Sequence, residues 1–228
     1  MNNNDTTIKE FFKLAIKNHK NNNFNKAANF YEKILKINPN HYESIFCLGT
    51  LSAQIKNHER SIKLLEKAIK INPLHADANN NLGLSLKEKN KNKEARKYFE
   101  KAIEINPEHI EAHNNLGKLF KKLNQKEKAK QYFEKAIDIK PHDSELYNNL
   151  GMVFYELREN EKARKCYEKA IEINSNFTPA YNNLMELFVT TNQDEKLNYI
   201  ILKAERSIKT EIFKEMILNN IINPLCIN

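Results

Sequence analysis

The chain has 228 residues, 40% of them apolar, enough to bury a core as one large domain or two small ones. Its 29% charged residues, four glycines and absence of tryptophan describe a sequence rich in helix formers and poor in turn formers. The net charge of +8 arises from 37 basic residues interspersed with 29 acidic ones, without an arginine-rich run, so nucleic acid is not an expected partner; nor does any stretch approach the ~20 apolar residues a membrane span needs.

In chain order, the polar residues 1–7 are expected to form a disordered tail, followed by a capping box in "TIKE" with Thr7 as N-cap and Glu10 three residues on. The amino terminus lacks the basic and then apolar pattern of a secretory signal, and the expected location is the cytoplasm. From residue 8 one period governs the chain. Pro39, Pro73, Pro107 and Pro141 are each 34 apart, as are Gly49, Gly83, Gly117 and Gly151. Leu14, Leu48, Leu82, Leu116, Leu150 and Leu184 carry the period through six units, beside Ala68, Ala102, Ala136, Ala170 and Ala204. The expected units are 8–41, 42–75, 76–109, 110–143, 144–177 and 178–211, a tandem array.

Each unit splits into two amphipathic helical patterns. In the unit 110–143, Ala112, Leu116, Leu119 and Phe120 recur at helical spacing, then Ala129, Tyr132, Phe133, Ala136 and Ile137. Asn124 lies between them, matched by Asn22, Asn90 and Asn192, and asparagine is the best residue after glycine for the left-handed turn that ends a helix. Proline then closes the unit. Glycine inside the first helix costs about 1 kcal/mol relative to alanine. Close packing offsets that cost, with Gly117 making room for a second helix whose Ala129 and Ala136 are also small. After the last unit, Ile212, Phe213, Met216, Ile217 and Ile221 predict a further amphipathic helix within 212–228. It reads either as a terminal cap or as the junction to a longer protein.

Leu and Gly in one helix, then Ala, an aromatic residue, Ala and Pro in the next, at this period, resemble the tetratricopeptide repeat over residues 8–211. The resemblance implies an all-α fold, a right-handed superhelical solenoid of antiparallel helix pairs, first helices lining a concave face and second helices a convex one. The ends depart from the pattern: Ala15 and Met185 stand where glycine belongs, Asn18 where a bulky residue is usual, Leu197 for alanine and Ser175 for the fifth proline.

No phosphate-cradling loop or nucleophile elbow is present, and the chain is expected to be non-catalytic and without a cofactor. Cys47, Cys166 and Cys226 are widely spaced, so reduced thiols are expected. His109 and His113 are spaced as a metal pair would be, but His109 occupies an inter-unit turn like His41 and His75, and capping and packing explain both; no metal is expected.

Binding chemistry is carried by the motif "NNLG". Adjacent helical residues differ by about 100° in direction, so with Leu116 in the core, Asn114 and Asn115 turn toward the concave side. Asn81, Asn115, Asn149 and Asn183 then make a column, one per repeat, accompanied by Asn80, Asn148 and Asn182. Primary amides suit hydrogen bonding to the backbone of an extended peptide. The column resembles the asparagine ladder of protein O-linked N-acetylglucosamine transferases and some cargo adaptors. Lys118 and Lys122 complete the candidate peptide-binding set, with Lys87 and Lys121 nearby, and imply some negative charge on the ligand. The lysine-rich clamp of co-chaperones that hold chaperone tails does not match: its places hold Phe46, Thr50, Asn81, Glu111 and Asn115, or one repeat on Asn80, Leu84, Asn115, Glu145 and Asn149. Two functions remain open, a scaffold that binds an extended partner segment, or the substrate-recruiting front of a larger glycosyl- or sulfotransferase.

Overall fold

The computed structural model describes residues 3–208, which form twelve α-helices and, among the described residues, no strand. The first helices of the repeats are α1 (Asn3–Lys20), α3 (Tyr42–Gln54), α5 (Ala76–Glu88), α7 (Ile110–Lys122), α9 (Ser144–Glu156) and α11 (Thr178–Thr190). The second helices are α2 (Phe24–Ile37), α4 (His58–Ile71), α6 (Asn92–Ile105), α8 (Lys126–Ile139), α10 (Asn160–Ile173) and α12 (Asp194–Ser207). The starts of α3, α5, α7, α9 and α11 at 42, 76, 110, 144 and 178 are 34 apart. Short turns such as 55–57 fold each pair back on itself as a helical hairpin.

At the amino end the expected tail is corrected. Helix α1 already begins at Asn3, so residues 3–7 are helical and Thr7 lies inside the helix instead of capping it. Asp5 in the first turn favours that early start, because a carboxylate there complements the helix dipole. The segment 212–228 lies outside the described residues.

By its internal packing the chain divides into two compact units, Met1–Asn115 and Leu116–Asn228. In the first, α1 packs on α2, α3 on α4 and α5 on α6, and α2 and α4 also pack on the first helix of the next repeat. Its core holds Tyr31, Ile34, Ile45, Leu65, Leu82 and Phe99, each fully buried. Leu14, first of the periodic leucines, is 41% exposed, because no described repeat precedes it to cover that face. In the second unit α8 packs on α9, α9 on α10, α10 on α11 and α11 on α12, around Phe133, Val153, Tyr167, Tyr181 and Leu184.

The glycines are explained by rings. A Cβ on Gly117 would stand 2.6 Å from Cε1 of Phe133, one on Gly151 2.5 Å from Cε1 of Tyr167, and one on Gly83 2.8 Å from the Phe99 ring. Each glycine is thus the seat of an aromatic side chain sixteen residues on. This sharpens the expectation that Gly117 makes room for the second helix: the Phe133 ring is what a Cβ there meets first, while at the equivalent Gly83 the Ala95 carbonyl oxygen of the second helix also stands 3.1 Å away. In the second repeat Leu65 replaces the ring, and the closest contact of a Gly49 Cβ relaxes to 3.0 Å.

The turn between the helices of a repeat passes through a left-handed residue every time. Asn22, Asn90, Asn124 and Asn192 have φ of 58°, 59°, 56° and 52°, and Lys56 and Arg158 take 61° at the equivalent places. The side-chain preference that makes the asparagines legible is absent from Lys56 and Arg158, yet the geometry of the hairpin imposes the same conformation at a cost of about 1 kcal/mol.

Candidate functional site

Leu82, Leu116, Leu150 and Leu184 are buried on the first helices, and the asparagines before them emerge at the edge of the core. Asn81, Asn114, Asn115, Asn149, Asn182 and Asn183 are half-buried, whereas Asn80 and Asn148 are only 5% exposed. The buried members are acceptors for the partly exposed members one repeat on. In the first unit Asn115 Nδ2 donates to Asn80 Oδ1 at 2.9 Å; in the second Asn183 Nδ2 donates to Asn148 Oδ1 at 2.8 Å. Asn81 Nδ2 donates to Thr50 Oγ1 at 3.2 Å, the second repeat having a threonine and no asparagine pair. Asn80 and Asn148, from the first place of a pair, and Asn81, Asn115 and Asn183, from the second, therefore take part in joining repeats, a role the sequence reading did not assign to them. The available signal was their double recurrence, which makes a spacing of 35 between the first of one pair and the second of the next.

The capping residues before the first helices follow a second series. Nδ1 of His41, His75 and His109 accepts the backbone N–H of Ser44, Ala78 and Ala112 at 3.3, 3.1 and 3.3 Å, and Asp143 takes the same place in the second unit. His113 Nε2 lies 2.9 Å from the Pro107 carbonyl oxygen, and Asn79 at the equivalent place donates to the His75 carbonyl at 2.9 Å. His109 and His113 are thus engaged separately, and among the described residues no three His, Cys, Asp or Glu side chains are placed to hold a metal ion.

The lysines are not left to a ligand alone. Lys118 Nζ donates to Glu145 at 2.6 Å and Lys121 to Glu156 at 3.4 Å, while Lys87 lies 3.3 Å from Glu88; Lys122 is exposed. The expected basic strip is accordingly interleaved with carboxylates. In the first unit, Thr50, Ala53, Gln54, Asn81 and Leu84 help to line a pocket of about 600 Å³ between α3 and α5. Beside it Tyr42 stacks on Phe46, and Phe46 lies 4.8 Å from the His75 ring. Burial pushes the Tyr42 hydroxyl up to about 12, helped by Glu43 and Asp77, so it stays a neutral phenol. Cys47 and Cys166 are free thiols; burial raises both, Cys166 to about 12. Neither is poised as a nucleophile.

Models of the tetratricopeptide repeat match residues 11–41, 42–73, 74–142 and 144–177. The chain belongs to the tetratricopeptide repeat family. No curated protein sequence matches it. Among solved structures it is similar to the MamA protein, at 25% identity with a TM-score of 0.65 over 74% of this chain and 92% of that one. PilF of Pseudomonas aeruginosa shares the fold at 20% identity and a TM-score of 0.76, covering 89% and 92%. YrrB, described as a TPR protein with an unusual peptide-binding site, shares it at 22% identity and 0.61, covering 77% and 91%. Tetratricopeptide repeat proteins bind protein partners, and at that level this chain is a protein-interaction scaffold. Among the described residues no helix is long and apolar enough to cross a membrane.

Proposed function

We propose that the first-helix face of this scaffold holds an extended segment of a partner protein through an asparagine ladder, Asn81 and Asn115 in the first unit and Asn149 and Asn183 in the second. One observation carries the reading. Asn115 and Asn183 are each pinned by one amide N–H on a buried asparagine of the preceding repeat, while the other N–H and the carbonyl oxygen make no hydrogen bond among the described residues. A half-buried amide fixed in this way offers one donor and one acceptor in a set orientation, which is what a peptide backbone presents in complement. The bound segment loses conformational entropy, but the receiving side chains, already held, lose little.

Asn80 and Asn148 serve this reading from behind, as the acceptors that orient the ladder. Lys118 and Lys122 lie along the same face, Lys118 shared with Glu145. The segment's charge is therefore less decisive than its backbone. The co-chaperone clamp is not part of the proposal, since Phe46 is packed on His75 and Thr50 is engaged by Asn81 where that clamp would need cations or free amides. We read the scaffold as non-catalytic and place it in the cytoplasm.

The test begins with affinity capture and mass spectrometry to find the partner and its bound segment. Asn115→Ala and Asn80→Ala both break the same amide pair, but only the first removes the amide that faces the segment. Asn115→Ala should weaken binding about three- to ten-fold, the value of one to two neutral hydrogen bonds, and Asn80→Ala clearly less, at similar losses of melting temperature. Equal affinities for the two variants would make the asparagines a device for joining repeats only.

A further inference from the structure

Helices α10, α11 and α12 of the second unit enclose a groove of about 590 Å³ on the second-helix side. Its floor is apolar, made of Ile171, Leu184, Phe188 and Ile200, and Tyr199 stands on its rim 67% exposed. Around the floor are five cations, Arg164, Lys165 and Lys169 from α10 with Lys196 and Lys203 from α12, against two carboxylates. Both carboxylates are already engaged along their own helix: Glu168 holds Arg164 at 2.8 and 2.9 Å, and Glu172 holds Lys169 at 2.8 Å.

What remains is an unbalanced rim. Lys165 and Lys203 have no carboxylate within ion-pair distance among the described residues, and Lys196 Nζ donates to the neutral Gln193 side chain at 2.6 Å. Glu161, just outside the groove, is drawn down chiefly by its hydrogen bond to Arg164, with Lys196 and Lys165 as lesser contributors. The first unit treats the corresponding place differently: Arg60 of α4 reaches across to Glu32 of α2, and Lys67 donates to the Pro39 carbonyl oxygen at 2.6 Å. There the fold spans its own groove, whereas α10 and α12 have no ion pair between them among the described residues.

We propose that this groove docks a segment of a partner protein in which acidic residues flank an aliphatic or aromatic side chain. The apolar floor receives the side chain, Tyr199 closes over it, and the carboxylates meet Lys165, Lys196 and Lys203. Charge selects this occupant over the protein itself. Residues 209–228 carry Lys209 and Lys214 against Glu211 and Glu215, with no acidic excess, and a second copy brings a net charge of +8. The surface is separate from the asparagine ladder and stands or falls without it.

The probe is a fluorescent synthetic peptide in which Leu and Phe recur at helical spacing among Glu and Asp, added to the full-length chain. The variant Lys165→Glu/Lys196→Glu/Lys203→Glu changes three exposed residues and should keep its helix content while binding the peptide at least about ten-fold more weakly. Lys63→Glu/Lys93→Glu/Lys97→Glu, equally exposed and of equal net charge, should bind within about two-fold of the parent. Tyr199→Ala should weaken binding without changing the salt dependence. Equal losses in the two charge variants would overturn the proposal in favour of non-specific attraction. So would tight binding of polyglutamate or single-stranded RNA lost in the same variant, since a polyanion needs no apolar floor.

Discussion

At the scale of single residues, the spacing between glycine and ring decides how tolerant each repeat is. Gly117 faces Phe133, which is fully buried and has no room to swing, so the 2.6 Å approach of a new Cβ must be relieved by moving a core ring. Gly117→Ala is expected to gain up to about 1 kcal/mol of helix propensity and lose about 2–3 to overpacking, a net destabilisation of about 1–2 kcal/mol. Gly49→Ala meets the Leu65 side chain at 3.0 Å, a gap that a small rotation opens, and should fall within about 0.5 kcal/mol of the parent. Urea titrations would check both, and equal midpoints for the two variants would remove the ring as the cause. The glycines were legible in the sequence because they recur, but their partners were not. Recurrence also singles out the alanines, and only side-chain direction decides that Phe133, not Ala129, lies over Gly117.

At the scale of elements, helix boundaries were legible wherever a residue's chemistry stops or starts a helix, as at Pro73 or Asn124. They were illegible where packing overrides it, as at Lys56 and Arg158 with positive φ, and at Thr7 inside α1. Capping gives a pH prediction. Asp143 caps α9, accepting the Glu145 N–H at 3.0 Å with Lys140 Nζ 2.8 Å away. Burial pushes the carboxyl up, but Lys140 and the backbone N–H groups of Glu145 and Leu146 outweigh it and hold it below the usual range. A folded value below the unfolded one means that the cap stabilises fully above the ordinary aspartate value of ~3.9 and that this is lost as pH falls through the lower, folded value. The Glu145 amide resonance, followed from about pH 6 to about pH 2, should therefore titrate at a pH below ~3.9, and Asp143→Asn should abolish that titration. A midpoint at or above the ordinary value would mean that the cap and Lys140 do not stabilise the charged form.

At the scale of the whole molecule, the repeat period was the strongest signal in the sequence, and the interlocking of its amides a weak one, because recurrence marks the asparagines but not which of them bond to one another. Within each unit, the helices that pack together are neighbours in the chain or two apart, as α3 and α5 or α9 and α11 are. Where contacts are this local, a defect has little through which to spread, and stability is close to a sum over repeats and the interfaces between them. Gly151→Leu provides the test, since even a Cβ there lies 2.5 Å from the Tyr167 ring and a leucine must break the α9–α10 hairpin. Hydrogen exchange in the native state should then show amides of α9 and α10 losing most of their protection, and those of α8 and α11, which pack on them, losing part. Amides of α3 and α4 in the first unit should exchange as in the parent, although the variant's overall stability is lower by about 3 kcal/mol. A uniform loss of protection across all helices would instead show that the array unfolds as one cooperative body.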